Sequence, residues 1–152
     1  PGLLQDVAAV YRQEGLMEEY GGLVSRALRG LLVAGRNEEA SILALDVASI
    51  PENPGVNPQY LMRAGHWLAG ENRFGEASDV FRAVILAKSS PQVTAKASIT
   101  LARLLGGPMG YPLDARRVLD EALDLDLDEE WRARIGELRT SIERGSMAEL
   151  PV

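Results

Sequence analysis

Apolar and small residues recur along the chain at the three- and four-residue intervals that place them on one face of a helix, and polar turns interrupt them. Leu61, Ala64, Gly65 and Leu68 form one such stripe; Phe74, Ala77, Phe81 and Val84 form a second beyond the turn Gly70-Glu71-Asn72-Arg73. Two stripes joined by a short turn predict a helical hairpin. The layout occurs 37 residues earlier as Val24, Ala27, Leu28 and Leu31, a turn at Gly35-Arg36-Asn37, then Ala40, Ala44 and Val47. It occurs again about 37 residues later as Ser98, Leu101, Ala102 and Leu105, a longer turn, then Ala115, Leu119 and Ala122. One layout recurring at one spacing marks a repeat architecture.

Proline-rich linkers fall where helices should stop, from Pro51 to Pro58 and at Ser89-Ser90-Pro91. Towards the N-terminus, Leu4, Val7, Ala8, Tyr11 and Gly15 match a first-helix stripe, and one long helix fits between Gly15 and Gly35, with an interruption expected at Gly21-Gly22. At the other end Asp128 is placed to cap a helix carrying Trp131, Ile135, Leu138 and Ile142. Glu129 and Glu130 then occupy the first turn, where the helix dipole favours acids. The pattern predicts an all-α protein of about eight helices and no strands.

In the best copy, Gln59 to Ser90, the first helix sets bulky, small, small and bulky residues before the turn, and the second opens with Ala77 followed four residues later by Phe81. This resembles the tetratricopeptide repeat (TPR) family. Gly65 and Ala77 have a physical role there, since small residues let two helix backbones approach. The copy near Val24 keeps Ala40 but carries Leu28 at the small site and Ala44 at the aromatic one; the third keeps Ala102 and Ala115 but expands its turn over Gly106 to Pro112. The resemblance implies a right-handed superhelical α-solenoid of antiparallel hairpins, one domain over 1–152. Its parts would be repeats at 22–55, 58–90 and 95–126, a degenerate or partial repeat over 1–20, and a capping helix at 128–144 that closes the apolar end.

Composition narrows the function. A hydrophobic content of 46% over 152 residues is enough to build a core, and its aliphatic bias, with only 5% aromatics, suits helices. No apolar run approaches the length of a membrane span. With Pro1 at its start, the chain is expected to be either processed or cut from a longer protein. The absence of cysteine excludes disulfides, thiolate catalysis and Cys-based metal sites, and leaves the compartment open. A soluble, cytoplasmic setting is favoured, with attachment to a membrane-bound or exported parent chain as the alternative. A net charge of −6 argues against nucleic acid as the partner.

Catalytic chemistry is sparse. His66 is the only histidine, and neither a metal-binding His pair, a phosphate-binding loop nor a nucleophile elbow occurs. Asp124, Asp126 and Asp128 alternate like the start of a calcium loop, but Glu129 stands where the loop needs glycine and Ile135 where it needs its bidentate glutamate. Neither a metal nor a cofactor is expected, and the chain is expected not to be an enzyme.

The charges are segregated. No Asp or Glu occurs from Tyr20 to Asn37, from Asn53 to Gly70 or from Val80 to Leu113, which contain the three first helices. Acids gather on second helices instead, as Glu38, Glu39, Asp46, Glu76, Asp79, Asp114 and Asp120. A dipole effect would favour acids at the start of every helix, so it does not explain their absence from first helices. In TPR proteins the first helices line the concave surface, and the resemblance implies a contact stripe of Arg26, Arg29, Gln59, Met62, Arg63, His66, Lys96, Ile99 and Arg103, with Ser25 and Thr100 beside it. Arg29, His66 and Arg103 recur every 37 residues. Trp67 and Trp131 are read as packing residues.

The expected function is a protein–protein interaction module or scaffold, holding a partner peptide or domain with acidic groups in a basic groove. The rival is self-association, with Met109 and Tyr111 in the expanded turn as a contact, or service as an accessory domain of a larger protein or assembly factor.

Overall fold

A computed structural model of the chain describes residues 17–51 and 54–145. Among these are seven helices and no strand: α1 (Met17–Val33), α2 (Asn37–Ala48), α3 (Pro58–Gly70), α4 (Phe74–Ala87), α5 (Pro91–Gly106), α6 (Pro112–Ala122) and α7 (Glu129–Glu143). The helix expected at the start of the chain lies outside the described residues. Two compact units are present, one ending at Ala87 and the other beginning at Lys88.

Local chemistry accounts for the helix ends. Asn57 and Ser90 accept hydrogen bonds from the backbone N–H of Gln59 and Val93, each ahead of a proline in the first turn that has no N–H to satisfy. Asp128 does the same for Trp131 at 3.0 Å, which is the cap expected of it. The hairpin turns share a left-handed residue: Gly35 has φ 74°, Asn72 φ 61° and Gly110 φ 72°. At the first two, the next N–H reaches back across the helix end, Arg36 to Leu31 O and Arg73 to Leu68 O, both at 2.9 Å. This closes each helix by satisfying carbonyls it would otherwise leave open.

In the unit ending at Ala87, α1 packs on α2 and α3 on α4 as two hairpins, and the hairpins meet through α1 with α3 and through α2 with both α3 and α4. Leu28, Ala40, Ala44, Ala64, Leu68, Ala77, Phe81 and Val84 are wholly buried, so the stripes read from the sequence face inward. Ala27 is a correction: it is exposed, because α1 buries the narrower row Tyr20, Val24, Leu28 and Leu32. The interruption expected at Gly21-Gly22 is also absent; α1 runs straight through. Gly21 serves a different need, since a Cβ there would collide with the carbonyl of Pro54 in the linker. Ser25 fastens the same linker, its hydroxyl donating to Gly21 O at 2.8 Å and accepting from the N–H of Asn57 at 2.9 Å.

In the unit beginning at Lys88, α5 and α6 form the third hairpin across the turn 107–111, and α7 packs on both. Leu101, Leu104, Ala115, Leu119 and Ile135 are wholly buried at its centre. Each large aliphatic buried in this way contributes roughly 1.5–3 kcal/mol. Arg132 gathers the connection before α7, donating to the carbonyls of Leu123 and Leu125, each at 3.1 Å, and of Leu127 at 3.3 Å.

Candidate functional site

The first helices of the unit ending at Ala87 supply the site. On α1, Arg26 and Arg29 lie one turn apart and exposed; on the neighbouring α3, Gln59, Arg63 and His66 follow one another on an exposed stripe. Beneath it the ring of His66 meets the ring of Phe81 edge-on, with centroids 5.3 Å apart. No acid shares these surfaces: α3 has none, and α1 has only Glu18 and Glu19 in its first turn.

Two of the expected contact residues belong to the core. Met62 and Ile99 are only 7% and 8% exposed. The reason is that α3 touches α1, α2 and α4, so its buried arc is wide enough to take in Met62 beside Leu61. In α5 the buried arc is wider still and also takes Thr100, whose hydroxyl donates to Lys96 O at 2.9 Å. Ser25 is likewise structural, as the anchor of the linker. Lys96 remains exposed, and Arg103 is half-buried with its Nε shielded from solvent and without a hydrogen-bond partner.

Only some of the cations are engaged in ion pairs among the described residues. Arg36, Arg73, Arg116, Arg117, Arg134 and Arg139 each hold a carboxylate. None of Arg26, Arg29, Arg63, Lys96 and Arg103 does so among the described residues. The paired arginines sit on second helices, at the turns leading into them, or on α7. The strongest network is at the second turn, where Arg73 Nε and Nη2 reach Glu76 at 2.9 and 2.8 Å and Nη1 reaches Glu38 of the preceding hairpin at 2.9 Å. Hydrogen bonds to Glu76 and then Glu38 hold the Arg73 guanidinium well above its usual range, against a smaller opposing effect of burial. The hydrogen bond from Arg73 holds the Glu76 carboxyl below its ordinary value. The guanidinium also lies 6.0 Å from the ring centre of half-buried Trp67.

Sequence reasoning overlooked this network although its outline repeats. Arg36 pairs with Glu39 at 2.7 Å just as Arg73 pairs with Glu76, 37 residues apart. The third copy has Tyr111 in place of the arginine and keeps only the acid, as Asp114. A second overlooked feature lies between α2 and α4: a cavity of about 280 Å³ lined by Leu45, Ala48, Ser49, Asp79, Arg82, Ala83 and Leu86. Asp128, the last of the alternating acids, accepts the N–H of Trp131 as the cap of α7. Among the described residues no group of three potential metal ligands occurs, and no helix is long and apolar enough to cross a membrane.

The sequence matches no protein-family model, and comparison with curated proteins and with solved structures finds no match.

Proposed function

We propose that the chain is a non-enzymatic interaction module of TPR type, whose hairpins stack in a right-handed superhelical sense and whose first helices hold an acidic segment of a partner protein. The observation that carries this reading is the exposed cations of α1 and α3. Arg26, Arg29 and Arg63 hold no carboxylate among the described residues, and the two helices carry no acid beyond Glu18 and Glu19 in the first turn of α1. An exposed cation already paired has little to offer a carboxylate; an unpaired one keeps its donors, and arginine presents them in a fork that matches the carboxylate. Gln59 adds a neutral donor and acceptor along the same stripe. In the other unit, α5 carries exposed Lys96 with no acid in its own sequence.

The test is the binding of a fluorescent oligoglutamate peptide, followed by anisotropy at low and high salt, to the wild type and to a variant with Arg26, Arg29 and Arg63 all changed to Glu. Binding should weaken with salt and be lost in the triple variant, whose helices should remain intact by circular dichroism. Capture from a native lysate by the same two proteins then identifies the natural partner as the one retained only by the wild type. Equal binding by both proteins would sink the proposal.

A further inference from the structure

The second helices of the unit ending at Ala87 carry a surface of another kind. Along α4, Gly75, Asp79, Arg82 and Leu86 are all exposed and follow one another at intervals of four, three and four, which makes them one stripe. Asp79 and Arg82 lie one turn apart, yet they form no ion pair with each other or with any other described residue. At one end Leu86 is 73% exposed. At the other end Gly75 is bare backbone, with open space where a Cβ would stand.

This stripe is complementary to itself in reverse. Read from opposite ends, aspartate falls against arginine and glycine against leucine. A two-fold contact between identical chains requires that property, because whatever residue i meets at j must be met again at j and i. We propose that α4 is the interface of a homodimer, in which two copies pack antiparallel about a two-fold axis passing between Asp79 and Arg82. Each Asp79 then meets Arg82 of the second copy, and each Leu86 lies over the bare backbone of Gly75 in the second copy. The cavity between α2 and α4 gives the incoming helix a groove to settle into, floored by Leu45, Ala48 and Ala83. Ile42, 52% exposed one turn before Leu45, is covered at the same time. Charge complementarity selects a second copy over an unrelated helix, since the copy brings the matching order of charge and bulk by construction. The residues concerned lie on α2 and α4, so the pairing is independent of the cationic stripes on α1 and α3.

Sedimentation of the wild type from micromolar to millimolar concentration should show the mass rise from monomer to dimer. Asp79→Arg leaves two like cations on the stripe and Arg82→Asp two like anions, so each variant alone should stay monomeric. An equimolar mixture of the two should dimerise, because every contact across the axis then joins opposite charges. Gly75→Met should keep the helices intact and the unfolding temperature at or above that of the wild type, methionine being the better helix former, yet abolish the mass increase. A wild type that remains monomeric at every concentration overturns the proposal. A mixture no heavier than its separate components overturns the antiparallel register.

Discussion

Gly65 and Phe81 divide one space between two helices: a Cβ on Gly65 would stand 2.6 Å from Cε1 of Phe81, and the Phe81 ring is itself wholly buried. The missing side chain of α3 is thus what admits the aromatic ring of α4. Gly65→Ala gains about 1 kcal/mol in helix propensity but overpacks the site at a cost of roughly 1–3 kcal/mol, so the net effect expected is destabilisation. Urea unfolding of a double-mutant cycle tests the cause. On a Phe81→Leu background, which vacates the ring, Gly65→Ala should be neutral or stabilising, with a coupling of about 0.5–3 kcal/mol. Additive effects would show that the two residues do not share the space.

Arg73 joins two hairpins through Glu38 and also holds Glu76 of its own hairpin, and acid should weaken the bond to Glu76. Glu76 is held below its ordinary value of 4.5, chiefly by the hydrogen bond from Arg73. Over the pH range beneath that value the unfolded chain binds more protons than the folded one, so stability falls as the pH falls. The contribution is complete above about pH 4.5 and disappears as the pH drops through the lowered value. Arg73→Met should therefore lower the unfolding temperature at neutral pH, and the gap from wild type should narrow steadily as the solution is acidified. A gap independent of pH would mean that Arg73 acts through packing on Trp67 alone.

Tyr20 titrates at the other extreme. Burial in the α1 core, reinforced by the charge of Asp46, raises its phenol from 10.0 to about 12. The neutral form is the one the fold accommodates, so its contribution is complete below pH 10 and is lost as the pH rises towards 12. An ultraviolet titration at the tyrosinate band should show a tyrosine ionising late, and Tyr20→Phe should remove that late step. It should also flatten the alkaline loss of stability. Survival of the late step in the variant would assign it to another tyrosine.

The start of α7 depends on two side chains that act on backbone groups. Asp128→Ala removes the acceptor for the Trp131 N–H and should cost about 1 kcal/mol. Arg132→Lys keeps the charge but loses the planar fork that serves three carbonyls. Both variants should speed amide hydrogen exchange in α7 while leaving α3 and α4 unaffected. Faster exchange in all the helices would indicate a global rather than a local effect.

The hairpins were legible because their signal is periodic. Leu61, Leu68, Ala77, Phe81 and their counterparts sit at helical spacing, and burial follows that spacing directly. The site was less legible because exposure depends on how many neighbours a helix has. Met62 and Ile99 look like surface residues on a one-sided helix and are core residues on helices enclosed more widely. The left-handed turn residue was hidden by its variation, glycine at 35 and 110 but asparagine at 72, since both side chains tolerate that conformation. The Arg36–Glu39 and Arg73–Glu76 pairs were present as a repeated spacing. The distribution of acids by helix does not reveal them, because the arginines belong to the turns.

The linker contact at Gly21 bears on how freely the exposed cationic stripe can vary. The carbonyl of Pro54 rests on a helix position with no side chain, and Ser25 accepts from the backbone N–H of Asn57, so the linker between the first two hairpins is held on α1 by short-range contacts to its main chain. Arg26, Arg29 and Arg63 are exposed and take no part in those contacts. They can be exchanged for other residues without altering the pitch at which the helices present them. Under the proposed function, specificity is thereby separated from architecture, and surface substitution can retarget the stripe while Gly21, Ser25 and Pro54 keep the linker in place.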